Sequence, residues 1–499
     1  MRLRAALAVA LLTSCSPSTK HSTSHDPPAG APPASCDAPA LLQDVSSPTA
    51  VVGDGTAASC TREALQRAAD KGGVIVFSCG SPVATISISS TVVFKKETIL
   101  DGGGLITLSG ESSARILYFD SAYDVTTPRL TVQRLTFRNG NSPRSSSDDT
   151  AVGGGAIYRD GGSLTVTDCT FIDNAAPSSG QDVAGGAIYG FGGGETVIVG
   201  STFAYNQASN GGAVGSLNGD LTIVNSSFTE NAATGSGGNP GDGGCGGAVY
   251  MDGGHERTIL CGATLSKNRA GAIGGGFFRV SNDHSGAFTM NRSTVDSNQV
   301  TASNEGNAGG LYLEGLDLTM ANSTISRNQA YHNGGIWISA GQVQMTNVTI
   351  AENTALGTNG GGIWVSYDPP GTLLNCTIAN NHLATDWTVG AGIFDTGTGK
   401  NLVLQNTVVA NNTANVPRGC NLPYAGSGDL QFPAGALCTA SPLVADPLIG
   451  LLADNGGPTE TMLPGAASPA RGLGTGCPPT DQRGEARHEP CTAGAVEVP

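Results

Sequence analysis

The segment 164–174 reads LTVTDCTFIDN, and the same arrangement returns as IVGSTFAYN at 198–206 and LTIVNSSFTEN at 221–231. Each copy alternates apolar and polar residues, which is the two-residue period of a half-buried strand. Each copy also ends in asparagine after a Ser/Thr step and an apolar residue. Nine such asparagines follow one another along the chain, and we expect them to form a structural ladder: Asn174, Asn206, Asn231, Asn268, Asn298, Asn328, Asn353, Asn381 and Asn411.

A second motif, Gly-Gly-small-aliphatic-aromatic, alternates with the first, as in GGAIY at 154–158. Alternation along a strand predicts that its aliphatic residue points inward and the next residue outward. The inward position holds Ile157, Ile188, Val214, Val249, Phe277, Leu311, Ile336, Ile363 and Ile393. The outward position predicts an external aromatic stripe, interrupted once at Gly215, made of Tyr158, Tyr189, Tyr250, Phe278, Tyr312, Trp337, Trp364 and Phe394.

The repeat interval predicts an all-β fold, a right-handed parallel β-helix. The shortest interval between two asparagines is 25 residues, close to one coil, and the longer intervals carry insertions such as 143–151 and 234–244. A solenoid tolerates such insertions because each coil contacts only its neighbours. Stacking pairs each strand with its equivalents about 4.8 Å above and below. We expect asparagine at the turn to adopt the left-handed backbone conformation, and its side-chain amide to form hydrogen bonds with equivalent asparagines along the helix axis.

The ends of the chain define the predicted domain limits. TREALQRAAD at 61–70 is a short helical pattern closed by two glycines, and it predicts an N-terminal capping helix. The predicted division is a signal peptide at 1–14, a lipidated cysteine and flexible tether at 15–48, the N-terminal cap and first coils at 49–129, the β-helix repeats at 130–440 and a C-terminal cap at 441–499.

The N-terminus indicates export. Arg2 and Arg4 precede the apolar run Ala5–Leu12, which is too short to span a bilayer. The residues before Cys15 resemble a bacterial lipobox, which implies cleavage before Cys15, lipidation of its sulfur and, with Ser16 next, an outer-membrane or cell-surface location. The alternative is an ordinary signal peptide with an unrelated cysteine.

Composition narrows the classes of partner. Charged residues make up 13% of the chain, glycine contributes 73 positions, and the net charge is −15. This charge argues against nucleic acid and against a basic membrane-binding patch. The expected partners are therefore a polysaccharide or a cell-surface protein, with the membrane reached only through the lipid.

Export permits disulfides among the eleven cysteines other than Cys15. Spacing suggests the pairs Cys60–Cys79, Cys245–Cys261, Cys420–Cys438 and Cys477–Cys491, although sequence alone does not fix connectivity. This pairing leaves Cys36, Cys169 and Cys376 over, and no cysteine or histidine spacing supports a zinc site.

The two motifs resemble the GGAI and FxxN repeats of polymorphic outer-membrane proteins, which are β-helical adhesins. The matching copies are Gly154–Ile157, Gly185–Ile188, Phe171–Asn174, Phe203–Asn206 and Phe228–Asn231. Those adhesins end in a membrane β-barrel, whereas only 59 residues follow position 440 here. The resemblance implies a surface β-helix with an adhesive role.

The C-terminal stretch resembles a choice-of-anchor Q region. The matching segments are LADNGGPT at 452–459, SPA at 468–470, TDQRG at 480–484 and GAVE at 494–497, while Thr492-Ala493 replaces the usual Asp-Ile. Such regions end bacterial β-helix surface proteins, and the resemblance implies no particular reaction.

Parallel β-helices of the pectate-lyase-like type also include lyases and hydrolases, which need clustered carboxylates. Asp160, Asp168 and Asp173 form the densest acidic group within one coil, and Asp252 shares the repeat position of Asp160. We interpret these acids, and the histidines, as turn and surface groups; the histidines are His255, His284, His332 and His382. The sequence therefore predicts no catalytic residue, no cofactor and no metal, with calcium left open but unsupported.

Three functions remain open at this point. The first is a non-enzymatic, adhesin-like surface lipoprotein that binds glycans or other partners along the aromatic stripe. The second is a polysaccharide lyase or glycoside hydrolase with a degenerate site. The third is a structural component of the surface layer, in which the stripe only rigidifies its sheet.

Overall fold

The computed structural model describes residues 25–26, 35–80, 83–143, 148–339, 341–357, 359–385, 389–414 and 419–498. Its coils stack through parallel strands, and equivalent repeat positions pair directly, as in the run Ile157, Ile188 and Val214. This architecture confirms the predicted right-handed parallel β-helix. The predicted signal peptide, Cys15 and most of the predicted tether lie outside the described residues.

A typical coil carries four strands. The first sheet contains the Gly-Gly motifs, and its strands are Val92–Phe94, Leu117–Asp120, Ile157–Asp160, Ile188–Phe191, Val214–Leu217, Val249–Gly253, Phe277–Ser281, Leu311–Glu314, Ile336–Ser339, Ile363–Ser366 and Ile393–Asp395. The fourth sheet is narrow, and its strands are Gln207–Ala208, Ala232–Ala233, Arg269–Ala270, Gln299–Val300, Gln329–Ala330, Thr354–Ala355 and His382–Leu383.

The second and third sheets share long strands near the N-terminus, Thr98–Ser109 and Arg129–Arg138. The second sheet otherwise contains Ala50–Val52, Gly73–Phe77, Ser163–Thr167, Thr196–Val199, Leu221–Val224, Arg257–Cys261, Gly286–Asn291, Leu316–Ala321, Val343–Thr346, Gly371–Leu374, Leu402–Gln405 and Ala425–Ser427. The third contains Ala84–Ser87, Thr170–Ile172, Thr202–Ala204, Ser227–Thr229, Thr264–Ser266, Thr294–Asp296, Thr324–Ser326, Thr349–Ala351, Thr377–Ala379, Val408–Ala410, Leu430–Phe432 and Leu443–Val444.

The asparagine ladder lies inside the coil, between the third and fourth sheets. Asn298 is typical: its side-chain oxygen accepts from Asn268 at 2.9 Å, and its amide donates to Asn328 at 3.0 Å and to the Leu265 carbonyl at 2.9 Å. The ladder asparagines are fully buried, so these bonds satisfy polar groups that water cannot reach.

Two details of the ladder differ from the prediction. Its last member is Asn412, which accepts from Asn381 at 2.9 Å, and not Asn411. The left-handed residue is the one before the ladder asparagine, for example Asp173 with φ 57° or Asn411 with φ 53°. That arrangement turns the preceding side chain outward while the asparagine remains inside, where it bonds between coils.

The Gly-Gly motif forms the bend into the first sheet. Gly154 has a φ of 56°, which disfavours other residues. A Cβ on the following glycine, Gly155, would lie 2.4 Å from the carbonyl oxygen of Ala175. The first glycine therefore supplies the conformation, and the second allows neighbouring backbones to approach.

The N-terminal end is covered by the helix Arg62–Lys71, one residue later than predicted. Thr61 caps it by accepting from the amide of Ala64, and Leu65 packs into the core. A 3-10 helix at Ala57–Ser59 precedes it, and another lies at Asp149–Ala151. The disulfide Cys60–Cys79 fixes the start of the helix beside the first coils.

The segment 35–48 contacts the β-helix, whereas the sequence predicted a flexible tether there. Gln43 and Gln133 exchange two hydrogen bonds, of 2.8 and 3.1 Å, and Asn225 holds the backbone of Cys36. Cys36 also forms a disulfide with Cys261 across 225 residues. The predicted Cys245–Cys261 pair is therefore wrong.

The other cysteines among the described residues are either paired or buried. The structure contains the disulfides Cys420–Cys438 and Cys477–Cys491, as spacing suggested. Cys169, Cys245 and Cys376 are free and buried. Burial raises the pKa of the Cys169 and Cys376 thiols to about 12, so they act as small apolar residues.

The C-terminal stretch packs along the flank of the β-helix. After the antiparallel hairpin of Ile449–Ala453 and Thr461–Pro464, Gln482 bonds with Thr324 and Thr349 at 2.8 and 2.6 Å. The amide of Ala495 donates to Thr377. The predicted C-terminal cap thus contacts several coils from the side.

No helix among the described residues is long and apolar enough to cross a membrane.

Candidate functional site

The aromatic stripe is in strict register on the outer face of the first sheet. Tyr250, Phe278 and Tyr312 stack nearly parallel, with ring centroids 5.3 and 5.2 Å apart. Trp337 and Trp364 follow at 5.7 Å, and Phe394 lies 4.6 Å beyond. The predicted direction of the side chains agrees with this arrangement.

The predicted exposure holds only for one end of the stripe. Tyr158, Tyr189, Tyr250, Phe278 and Tyr312 are all less than 9% exposed. Loop residues such as Ala184, Cys245 and Ala308 form an apolar cluster with these rings. The ring of Tyr189 lies against the backbone of Gly153, where a Cβ would come within 2.3 Å of it. The insertions between coils therefore cover five of the eight aromatic residues.

Hydrogen bonds and a cation–π contact also attach the covered rings of the stripe to the polar groups around them. Asn239, in the insertion 234–244, donates to the Tyr250 hydroxyl at 2.9 Å and to Asp252 at 2.7 Å. The Arg115 guanidinium lies 4.6 Å from the Tyr158 ring centroid, and burial lowers the pKa of Arg115 to about 10. These contacts explain why the covered part acts as a second, external core.

The open end of the stripe consists of Trp337, Trp364 and Phe394, which are all half-buried on three successive coils. Trp364 donates from Nε1 to the Ser366 hydroxyl at 3.0 Å. Tyr367 follows with 81% exposure. The three rings follow one another along the helix axis, tilted by 33° in the first pair and edge-to-face at 61° in the second.

A second candidate, which we name the corner cleft, lies where the first sheet turns into the second. It has a volume of about 950 Å³, and its lining includes Tyr123, Asp124, Arg129, Ser163, Glu195, Asn218, Asp220, His255, Glu256 and Arg257. Arg129, Ser163, Glu195, Asp220 and Arg257 occupy equivalent positions on five successive coils.

Ion pairs neutralise most of the charge in the corner cleft. Arg129 contacts Glu195 at 2.6 Å, and Arg257 contacts Asp220 at 2.9 Å. The pairing with Asp220 raises the pKa of Arg257. Sequence reasoning missed this cleft, although the residue just before each second-sheet strand is the repeat position that could have revealed it.

Two buried arginines support the floor of the corner cleft. Arg159 donates to the carbonyls of Gly162 and Gly194 at 2.8 and 3.0 Å, and burial lowers its pKa to about 10. Arg279 donates to the carbonyl of Glu256 at 2.9 Å, and its guanidinium lies 3.9 Å from that residue's carboxylate. Both arginines are fully buried, so they fix the corner and do not reach solvent.

The acids that the sequence singled out do not converge. Asp160 lies beside Asp120 of the preceding coil, and both share the single hydroxyl proton of Tyr118, whose oxygen is 3.4 and 3.2 Å from their carboxylates. Burial and the Asp120 charge raise the pKa of Asp160. Asp168 and Asp173 occupy two different corners of the coil, and Asp173 contacts Arg138 at 3.3 Å.

Asp252 faces the loops over the stripe and accepts from Tyr250 and from Asn282. Of the histidines, His255 lines the corner cleft and His382 bonds to Thr413 at 2.8 Å. Throughout the described ranges, no three His, Cys, Asp or Glu side chains come together as a metal site would require.

Comparison with known proteins agrees with the architecture. The family model for the right handed beta helix region matches residues 238–414. No curated protein sequence matches the chain.

Three solved structures are similar to this chain. A PL6 alginate lyase in complex with a trisaccharide has 12% identity and a TM-score of 0.40, covering 82% of this chain and 88% of that one. PfbA, a surface adhesin of Streptococcus pneumoniae, has 14% identity and a TM-score of 0.33, and the match covers 68% of this chain and 90% of PfbA. The pectate lyase Pel9A has 13% identity and a TM-score of 0.33, and the match covers 91% of this chain and 97% of Pel9A.

Proposed function

We propose that this protein is a non-enzymatic, adhesin-like surface β-helix that binds glycan chains at the open end of the aromatic stripe. The observation that carries the proposal is the partial exposure of Trp337, Trp364 and Phe394 on consecutive coils, while the rest of the stripe is covered. Four disulfides support export, because such bonds persist in oxidising compartments. Attachment through a lipid on Cys15 belongs to the same proposal.

The geometry suits an extended ligand that runs along the helix axis. An aromatic ring offers apolar surface to the C–H face of a sugar ring, and the three rings recur at centroid distances of 5.7 and 4.6 Å. Ser339 and Ser366 lie two residues beyond Trp337 and Trp364 on the same sheet, beside the stripe. Both serines are buried, and Ser366 already accepts from Trp364, so a bound sugar would contact mainly the rings.

The test is isothermal titration with neutral and acidic hexasaccharides on residues 35–499, followed by the Trp337→Ala/Trp364→Ala double variant. We expect at least one hexasaccharide to bind, and the double variant to weaken that binding at least tenfold or so, the size of an interface hot spot. Tyr205→Ala, on a corner of the coil bounded by the third and fourth sheets, is the matched control and should bind normally. Unchanged binding in the double variant would refute the open end as the site.

Polysaccharide cleavage is the second candidate, and the corner cleft favours it because carboxylates, arginines and a histidine line one cavity. A hydrolase would need one carboxylate as acid and another as base or nucleophile. Release of reducing ends or of unsaturated sugars from a polysaccharide panel would support this function, and its loss in Glu195→Gln would assign it to the cleft. Intact polymers after prolonged incubation would leave binding as the function.

A further inference from the structure

We infer that the corner cleft is a second ligand site, which takes a neutral oligosaccharide. The inference takes the class of ligand, a glycan, from the proposed function. The residues it concerns lie at the corner between the first and second sheets, and no residue of the stripe is among them. Three features of the cleft carry it: its length, an exposed aromatic ring, and the compensation of its charges.

The dimensions of the corner cleft suit a chain of several sugar rings. Its volume of about 950 Å³ is at the upper end of ordinary ligand sites. The column from Arg129 to Arg257 crosses five coils. At about 4.8 Å per coil this column is roughly 19 Å long. A compact ligand would leave most of it empty, whereas an extended oligosaccharide would fill it.

Tyr123 provides the stacking face. Its side chain is 43% exposed, yet it is held in place from two sides. Its ring packs 4.7 Å from that of Phe191, and its hydroxyl accepts a 2.8 Å hydrogen bond from Asn218. The amide of Gly193 also donates to the Tyr123 carbonyl at 2.8 Å, which fixes the loop. A rigid aromatic ring loses little conformational entropy when a ligand stacks on it.

The charges of the corner cleft select against acidic sugars. Glu195, Asp220 and Glu256 each have an arginine within 3.9 Å, and Asp124 adds a further negative charge. An arginine already paired with a carboxylate offers little net attraction to a uronate. Such a pair can still donate from the guanidinium and accept at the carboxylate, as adjacent sugar hydroxyls require. The cleft therefore matches uncharged hydroxyl groups better than carboxylates.

The experiment titrates the protein with hexasaccharides of β-1,4-glucan, α-1,4-glucan, β-1,4-mannan and galacturonan. We expect a neutral hexasaccharide to bind, Tyr123→Ala to weaken its binding roughly tenfold, and the affinity to change less than about twofold between about 0.05 and 0.5 M NaCl. Asn218→Ala, which releases the Tyr123 hydroxyl, should weaken binding by a smaller factor. Tyr205→Ala is the control for loss of a tyrosine elsewhere.

Parallel titration of Trp337→Ala/Trp364→Ala separates this inference from the proposed function. Loss of neutral-sugar binding in Tyr123→Ala supports the corner cleft, whatever the double tryptophan variant does. Unchanged binding in a folded Tyr123→Ala overturns it, and if the double variant then loses binding, the open end of the stripe stands alone. Binding of the galacturonan hexasaccharide alone also overturns the corner cleft as a neutral-sugar site. Binding of no hexasaccharide at all overturns both the corner cleft and the open end of the stripe.

Discussion

The asparagine ladder and the aromatic stripe are both columns that recur once per coil in register, but only the ladder has the same environment throughout. Every ladder asparagine is buried, and those between the end members Asn174 and Asn412 make the same side-chain bonds to both neighbours, near 2.9 Å. The stripe begins under loops and is only partly buried from Trp337 to its end at Phe394. A column with a constant environment serves the fold, whereas a column whose exposure changes along the axis can serve the fold at one end and a ligand at the other.

The largest effect should come from breaking the ladder. Asn298→Ala removes four side-chain hydrogen bonds and leaves buried donors on Asn268 without an acceptor. We expect a loss of stability of roughly 4 kcal/mol, measured by urea unfolding. Asn291→Ala, which removes a partly exposed asparagine bonded to Asn322, is the control and should cost about 1 kcal/mol or less. Equal losses in the two variants would show that the interior ladder is not special.

A smaller effect should follow from truncating the covered part of the stripe. Tyr250→Ala removes a fully buried ring that stacks on Phe278 and bonds to Asn239 and Asp252. We expect a loss of roughly 3 kcal/mol, as for other large buried aromatic residues. Trp364→Ala, at the open end, should cost about 1 kcal/mol because its ring is already partly in water. A reversed order would contradict the division of the stripe into two parts.

The disulfide Cys36–Cys261 should have a further, moderate effect, because it fixes the segment 35–48 against the second sheet. Its reduction or the Cys36→Ser/Cys261→Ser double variant should lower the stability by roughly 2–3 kcal/mol. Hydrogen exchange should increase at Ser35 and Cys36, whose amides donate to Asn225, while the ladder stays protected. Unchanged exchange in this segment would show that its other contacts hold it without the disulfide.

Much of the fold could be predicted from the sequence because it depends on local periodicity. The inward residue at Ile157 and its equivalents follows from alternation, and the coil length follows from the asparagine interval. The one-residue error at Asn411 arose because two asparagines are adjacent there, and only the bond from Asn381 distinguishes them. The pairing of Cys36 with Cys261 was missed because it joins segments that are distant in the sequence and close only after coiling.

The candidate sites were harder to predict, for a physical reason. Alternation gives the face on which Tyr250 lies, but the burial of that face depends on where the loop around Asn239 folds. The corner cleft likewise depends on register across coils, since Arg129 and Glu195 are 66 residues apart and meet at 2.6 Å. Single-strand patterns contain no information about either contact.

The most direct test of the divided stripe is tryptophan fluorescence of the Trp387→Phe variant, in which Trp337 and Trp364 are the remaining tryptophans. Acrylamide should quench this emission in the free protein, and a saturating hexasaccharide identified by titration should protect it and shift it to shorter wavelength. The Trp364→Ala variant should lose most of that protection. If no hexasaccharide changes the quenching, the open end of the stripe is not a glycan-binding surface.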